Sequence, residues 1–97
     1  MMRERLPNRR LSEVVDFQHG GRKWTATISR FSDGRIGEVF LDTPKASTVG
    51  ELAADAAIVA SLALQCGCPI ETLRHALADR SAGPLGAALG LVNGVAP

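Results

Sequence analysis

The sequence predicts an α+β fold: a three-stranded antiparallel meander packed on one long central helix, with two shorter helices completing the layer. Three observations predict it. Between residues 14 and 41, apolar and polar side chains alternate across two glycine-bearing reversals. From Ala56 to Cys66 the chain is apolar with helical recurrence, and its only polar side chains there are Ser61 and Gln65. Pro69 and Pro84 each follow a break and open a short apolar-striped segment.

Taken in order, residues 1–12 carry Arg3, Arg5, Arg9 and Arg10 against Glu4 alone, and Pro7 disfavours a continuous helix. They read as a basic extended arm, and residues 13–97 as a single domain. Strands are expected over residues 14–19, 22–31 and 35–41. Gly20-Gly21 stands where a two-residue hairpin turn wants positive φ at both centres, and Ser32-Asp33-Gly34 makes the second reversal. Trp24, Ala26 and Ile28 form the buried face of the middle strand. In the third, Ile36, Glu38 and Phe40 share one face, and Val39 and Leu41 the other. A carboxylate in that setting points to a sheet edge or an arginine partner. Thr48 and Glu51 have capping-box spacing, so the long helix begins at about Thr48 or Val49 and ends near Cys66, before Gly67. The second helix covers about residues 69–78 with Ile70, Leu73 and Leu77 inward. The third runs from Pro84 to about Val92 with Leu85, Ala88, Leu89 and Val92 inward.

The long helix sets the main physical demand. Leu52, Ala56, Val59, Ala63 and Cys66 recur at steps of four and three, while Ile58, Leu62 and Leu64 fall off that stripe. A helix apolar over most of its circumference needs cover from two sides, by its own sheet and by other helices or a second copy of the chain. A 97-residue core of small side chains with four aromatics buries little area, which also favours a homodimer.

A net charge of +1 gives no global attraction to nucleic acid. Asp55 and Gln65 bracket an uncharged apolar run of nine, so no membrane span is expected. The arginine-rich start lacks a following apolar segment, so it is not a secretory signal. With two cysteines, these features place the chain in the cytoplasm.

Among chemistry-bearing residues, Cys66 and Cys68 are candidate metal or redox thiols; a closed zinc site needs four ligands and one chain offers no second pair, so a zinc- or redox-dependent dimer, with two CxC pairs meeting across its axis, is a third alternative. His75 stands four residues after Glu71, the spacing of an exposed helical pair. No Ser, His and carboxylate set, phosphate loop or dinucleotide fingerprint is present, so no catalytic residue is assigned. Arg3, Arg5, Arg9 and Arg10, joined by Arg22 and Lys23, are candidate phosphate- or partner-binding cations.

Three co-linear segments carry a family resemblance. RERLPNRR (Arg3, Glu4, Arg5, Leu6, Pro7, Asn8, Arg9, Arg10) resembles the segment that introduces the C-terminal accessory domain of cobalamin-dependent, class II ribonucleotide reductases, the TSCPD domain. DGRIGEVFLD, from Asp33 to Asp42, is similar to its strand signature, with Lys45 where the family places a lysine. ASLALQCGCPIE, from Ala60 to Glu71, is similar to its helix-ending signature. The resemblance implies an accessory domain without turnover of its own, linked to deoxyribonucleotide synthesis, with Lys45 joining the candidate cations. It leaves the radical chemistry, the catalytic cysteines and cobalamin to the full-length reductases, and no cofactor to this chain. The family's terminal CxxC pair has no counterpart after Val92. The implied partners are a ribonucleotide reductase and a second copy; a nucleotide- or nucleic-acid-binding module using the arginine arm is the alternative.

Overall fold

The computed structural model describes residues 2–80 and 82–92. Strands β1 (Ser12–His19), β2 (Arg22–Arg30) and β3 (Ile36–Asp42) form one antiparallel sheet in that order, followed by helices α1 (Thr48–Gln65), α2 (Ile70–Arg80) and α3 (Pro84–Gly90). This is the expected α+β meander on a long helix. Gly20 and Gly21 close the first hairpin at φ 61° and 75°, the mirror-image turn that matches strand twist.

Trp24, Ala26, Ile28, Val39 and Leu41 form the buried sheet face, and Ala53, Ala57, Ala60 and Leu64 of α1 pack on it. The Trp24 indole N–H donates to the His19 carbonyl at 3.2 Å. One strand face differs from expectation. The β2–β3 register shifts between Ser29↔Glu38 and Arg30↔Ile36, leaving Gly37 as an extra residue that turns Ile36 into the core beside Val39. Gly37 itself is pressed on Phe31, whose ring lies 2.6 Å from where a Cβ would stand.

The α1 cap also lies one residue earlier than predicted. Ser47 is extended, and its hydroxyl accepts from the Gly50 N–H at 3.0 Å, so no Thr48–Glu51 box forms. At the other end Gly67, at φ 97°, lets Cys68 N–H reach the Ala63 carbonyl (2.9 Å) and Gly67 N–H the Leu64 carbonyl (3.1 Å), the paired bonds of a Schellman motif. Helix α2 runs to Arg80, beyond the expected end at residue 78. Glu71 pairs with Arg74, one turn away, instead of His75. Arg74 also donates to the Leu89 carbonyl (2.7 Å) and to the Val92 carbonyl, tying α2 to the end of α3. Ile70, Leu85, Ala88, Leu89 and Val92 are buried as predicted, with Leu73 and Leu77 packed against them.

Among the described residues, α1 is the one helix long and apolar enough to cross a membrane by length and composition. The core helix of a globular domain passes the same test, and here one face of α1 lies on the sheet. The face bearing Leu52, Ile58, Val59 and Leu62 is 40–67% exposed, so the chain's own sheet supplies one of the two expected covers and its other helices do not supply the second.

Candidate binding surfaces

The two polar residues in the apolar helix explain how α1 docks. Strand β3 is a sheet edge, and an edge exposes unpaired N–H and C=O groups. The buried Ser61 hydroxyl accepts from Val39 N–H at 2.9 Å and lies 3.0 Å from Val39 C=O and 2.8 Å from Ala57 C=O, its own helical carbonyl. One turn later the buried Gln65 amide donates to Gly37 C=O at 2.9 Å. Positions i and i+4 share a helix face, so this pair lays a polar ladder along the strand. The edge is thereby covered by side chains where another strand would otherwise add.

The N-terminal arm fastens to the same corner. Gln65 accepts from Arg3 Nε through its side-chain oxygen (2.6 Å) and from Glu4 N–H through its backbone carbonyl (2.7 Å), an orphan acceptor of the helix end. Glu4 pairs with Arg35 at 2.9 Å, and Arg35 pairs with Asp33 at 2.7 Å while its guanidinium lies 4.6 Å from the Phe31 ring centre. The Arg35 backbone N–H and guanidinium hold the Asp33 carboxyl below its ordinary range, and Asp33, then Glu4, raise Arg35. Arg10 donates to Pro7 C=O at 2.8 Å and to Glu38 at 3.0 Å, which gives the third-strand carboxylate both the edge position and the arginine partner expected of it. The arm forms no helix or strand before β1 and is fixed at Arg3, Glu4 and Arg10.

The predicted cations fall into two groups. Arg3 and Arg10 are engaged within the chain, whereas the side chains of Arg5 and Arg9 make no hydrogen bond or ion pair among the described residues. A cleft of about 590 Å³ beside the arm is lined by Pro7, Arg9, Arg10, Arg30, Phe31 and Asp33. Arg30 there is held by Glu13 at 2.9 Å and by the Gly34 carbonyl at 2.8 Å. Arg22, Lys23 and Lys45 lie at the far end of the sheet, where Thr43 Oγ1 donates to the Lys23 carbonyl. Eight residue steps along β2 put about 26 Å between the two ends. The seven cations therefore do not form one site.

Cys66 and Cys68 are both reduced and half-buried at the α1–α2 junction. Cys68 lines a cleft of about 300 Å³ with Arg35, Leu64, Pro69, Ile70 and Glu71, and its thiol lies 3.7 Å from the Pro69 carbonyl. Among the described residues no three His, Cys, Asp or Glu side chains gather as metal ligands. The residues that sequence reasoning missed are Ser61, Gln65, Glu4 and Arg35. A polar pair spaced i, i+4 inside an otherwise apolar helix was the signal for the first two.

The geometry defines a small α+β domain with an edge strand sealed by its helix and a basic arm strapped to that corner. The family model of the TSCPD domain matches residues 2–95, and the chain belongs to that family. It is similar to vitamin B12-dependent ribonucleotide reductases: 41% identical over 70 residues to that of Agrobacterium fabrum, covering 71% of this chain and 6% of the relative. It is 32% identical over 85 residues to that of Rhodopirellula baltica, covering 87% and 8%. The match to that of Streptantibioticus cattleyicolor is 36% over 72 residues, covering 73% and 12%. The chain thus spans about a tenth or less of the length of most of these relatives. No solved structure matches it.

Proposed function

We propose that this chain is an accessory binding domain, without turnover of its own, that acts with a vitamin B12-dependent ribonucleotide reductase in deoxyribonucleotide synthesis in the cytoplasm. The observation that carries this reading is the extent of the match: most of this chain aligns with a small part of each reductase. Cobalamin and the radical reaction belong, on this reading, to the reductase body, and this chain holds no cofactor. Arg5 and Arg9 face the partner, since Arg3 and Arg10 already have acceptors within the chain. The test is binding of the purified chain to a B12-dependent reductase with its own TSCPD segment deleted, with reductase activity measured in parallel. Saturable binding together with restored or altered turnover supports the reading; no association at micromolar concentrations overturns it.

A second reading, nucleotide or nucleic-acid binding through the arm, is favoured by the two unpaired guanidinium groups and the adjoining cleft. Two free arginines give a shallow salt dependence, with a slope of about −2 on a double-logarithmic plot for duplex DNA. Titration of the chain against DNA and nucleoside phosphates at rising salt separates the two readings.

A further inference from the structure

We propose that the cleft between the N-terminal arm and the β2–β3 turn is a docking site for an acidic peptide segment of a partner protein, one that carries an apolar side chain next to a carboxylate. The inference rests on the reading of this chain as an accessory binding domain and names the partner's chemistry. The cleft, of about 590 Å³, joins apolar walls to a cationic rim, the mixture by which a pocket holds one side chain and orients its neighbour. One wall is Phe31, 6% exposed, whose ring is held between Gly37 and the Arg35 guanidinium. On the arm side stands Leu11, 85% exposed, so the chain leaves its apolar surface uncovered beside the cleft.

The pairing of the arginines at this corner selects the charge of the occupant. Arg10 is taken by Glu38, Arg30 by Glu13, and Arg35 by Glu4 and Asp33, each at 2.7–3.0 Å. Arg9, on the rim of the cleft, makes no such contact among the described residues, and neither does Arg5, four positions earlier on the arm. A carboxylate from the partner completes the set at Arg9 through the two parallel hydrogen bonds that a guanidinium fork offers. The rest of the rim is fixed before anything binds. Arg10 also donates to the Pro7 carbonyl and Arg30 to the Gly34 carbonyl, both at 2.8 Å, so the cost of ordering falls mainly on Arg9. Repeating phosphates fit this corner less well. A nucleic-acid strand that reaches Arg9 runs its next charges past Asp33, Glu38 and Glu13, whereas a peptide sets one carboxylate on Arg9 and an apolar side chain against Phe31 and Leu11.

Amide chemical shifts of the whole chain, followed by NMR during titration with the peptide acetyl-Gly-Glu-Leu-Glu-Gly-amide, test this. Saturable shifts confined to residues 7–11 and 30–34 are expected at millimolar peptide. The counterpart with glutamine for both glutamates should bind about tenfold more weakly, and the one with glycine for leucine should also lose affinity. Arg9→Ala, an exposed change whose spectrum reports that the fold is kept, should weaken the acidic peptide by about the same factor of ten, and Arg9→Lys should recover only part of it. Arg22→Ala, at the far end of the sheet, should change nothing. Absence of shifts at the cleft up to about 10 mM peptide overturns the proposal. So does equal binding of either control peptide, indifference to Arg9→Ala, or an equal loss with Arg22→Ala. Tighter binding of a nucleoside triphosphate at the same residues overturns it in favour of phosphate. Failure of the acidic peptide while the chain still binds a reductase sinks the cleft alone; peptide binding through Arg9 without reductase association sinks the reductase reading and leaves the cleft standing.

Discussion

The hydroxyl of Ser61 bridges both backbone groups of a single residue, Val39, lying 2.9 Å from its N–H and 3.0 Å from its C=O. A helix side chain here stands in for a neighbouring strand. Replacing it orphans two buried groups at once, so Ser61→Ala should cost about 3 kcal/mol in urea denaturation, a large share of a small domain's stability. Light scattering should also show faster aggregation on heating, because the β3 edge is then open to other chains.

Gln65 couples that edge to the arm. Arg3→Ala should cost at most about 1 kcal/mol, yet expose the arm to trypsin at Arg5 and Arg9. Gln65→Leu, which also strips Gly37 of its donor, should cost about 2 kcal/mol and release the arm to the same degree. Limited proteolysis read by mass spectrometry, alongside denaturation, distinguishes the two variants.

The Asp33–Arg35 pair gives the turn between β2 and β3 a defined response to acid. The folded pKa of Asp33 lies below its ordinary value of 3.8. A depressed carboxylate contributes stability that is fully present above that value and is lost as pH falls through the lower, folded one. Asp33→Asn should therefore remove part of the stability loss seen below about pH 4 while leaving the slope between pH 6 and 8 unchanged. Both groups are exposed at the surface, so the contribution is small and shrinks in added salt.

At the end of α1, Gly67 holds φ 97° so that the two closing bonds of the helix can form. Gly67→Ala should cost about 1 kcal/mol, although no atom lies within 4 Å of the added methyl. Gly37→Ala makes a useful contrast, since its backbone is unstrained and its cost comes from displacing the Phe31 ring. Comparing the two by thermal melts separates conformational from steric effects.

Cys66 and Cys68 supply two thiolates where a closed zinc site needs four ligands. Elemental analysis of the purified chain should find less than one zinc per two copies. Incubation with a chelator should leave the melting temperature unchanged.

Much of this architecture was readable from the residues. The hairpin glycines, the alternation in β2 and the inward sets of α2 and α3 are all local patterns, and each stands where local physics puts it. The face of α1 was harder. Its large side chains mark an apolar stripe, but the sheet takes the small ones, Ala53, Ala57 and Ala60, because they allow the helix backbone to approach closely enough for Ser61 and Gln65 to reach β3. Helical periodicity finds a stripe without saying which partner covers it. The arm resisted reading for a different reason. Four arginines look like a positive patch until their acceptors are known, and Glu38, Gln65 and Pro7 are distant in sequence or contribute only a carbonyl.

The buried indole of Trp24 has a practical consequence. The chain contains one tryptophan and no tyrosine, so ultraviolet excitation at the red edge addresses a single site at the centre of the fold. Its emission should be blue-shifted in the native state and move to longer wavelength in one step as the sheet separates from α1, which makes this domain its own optical reporter.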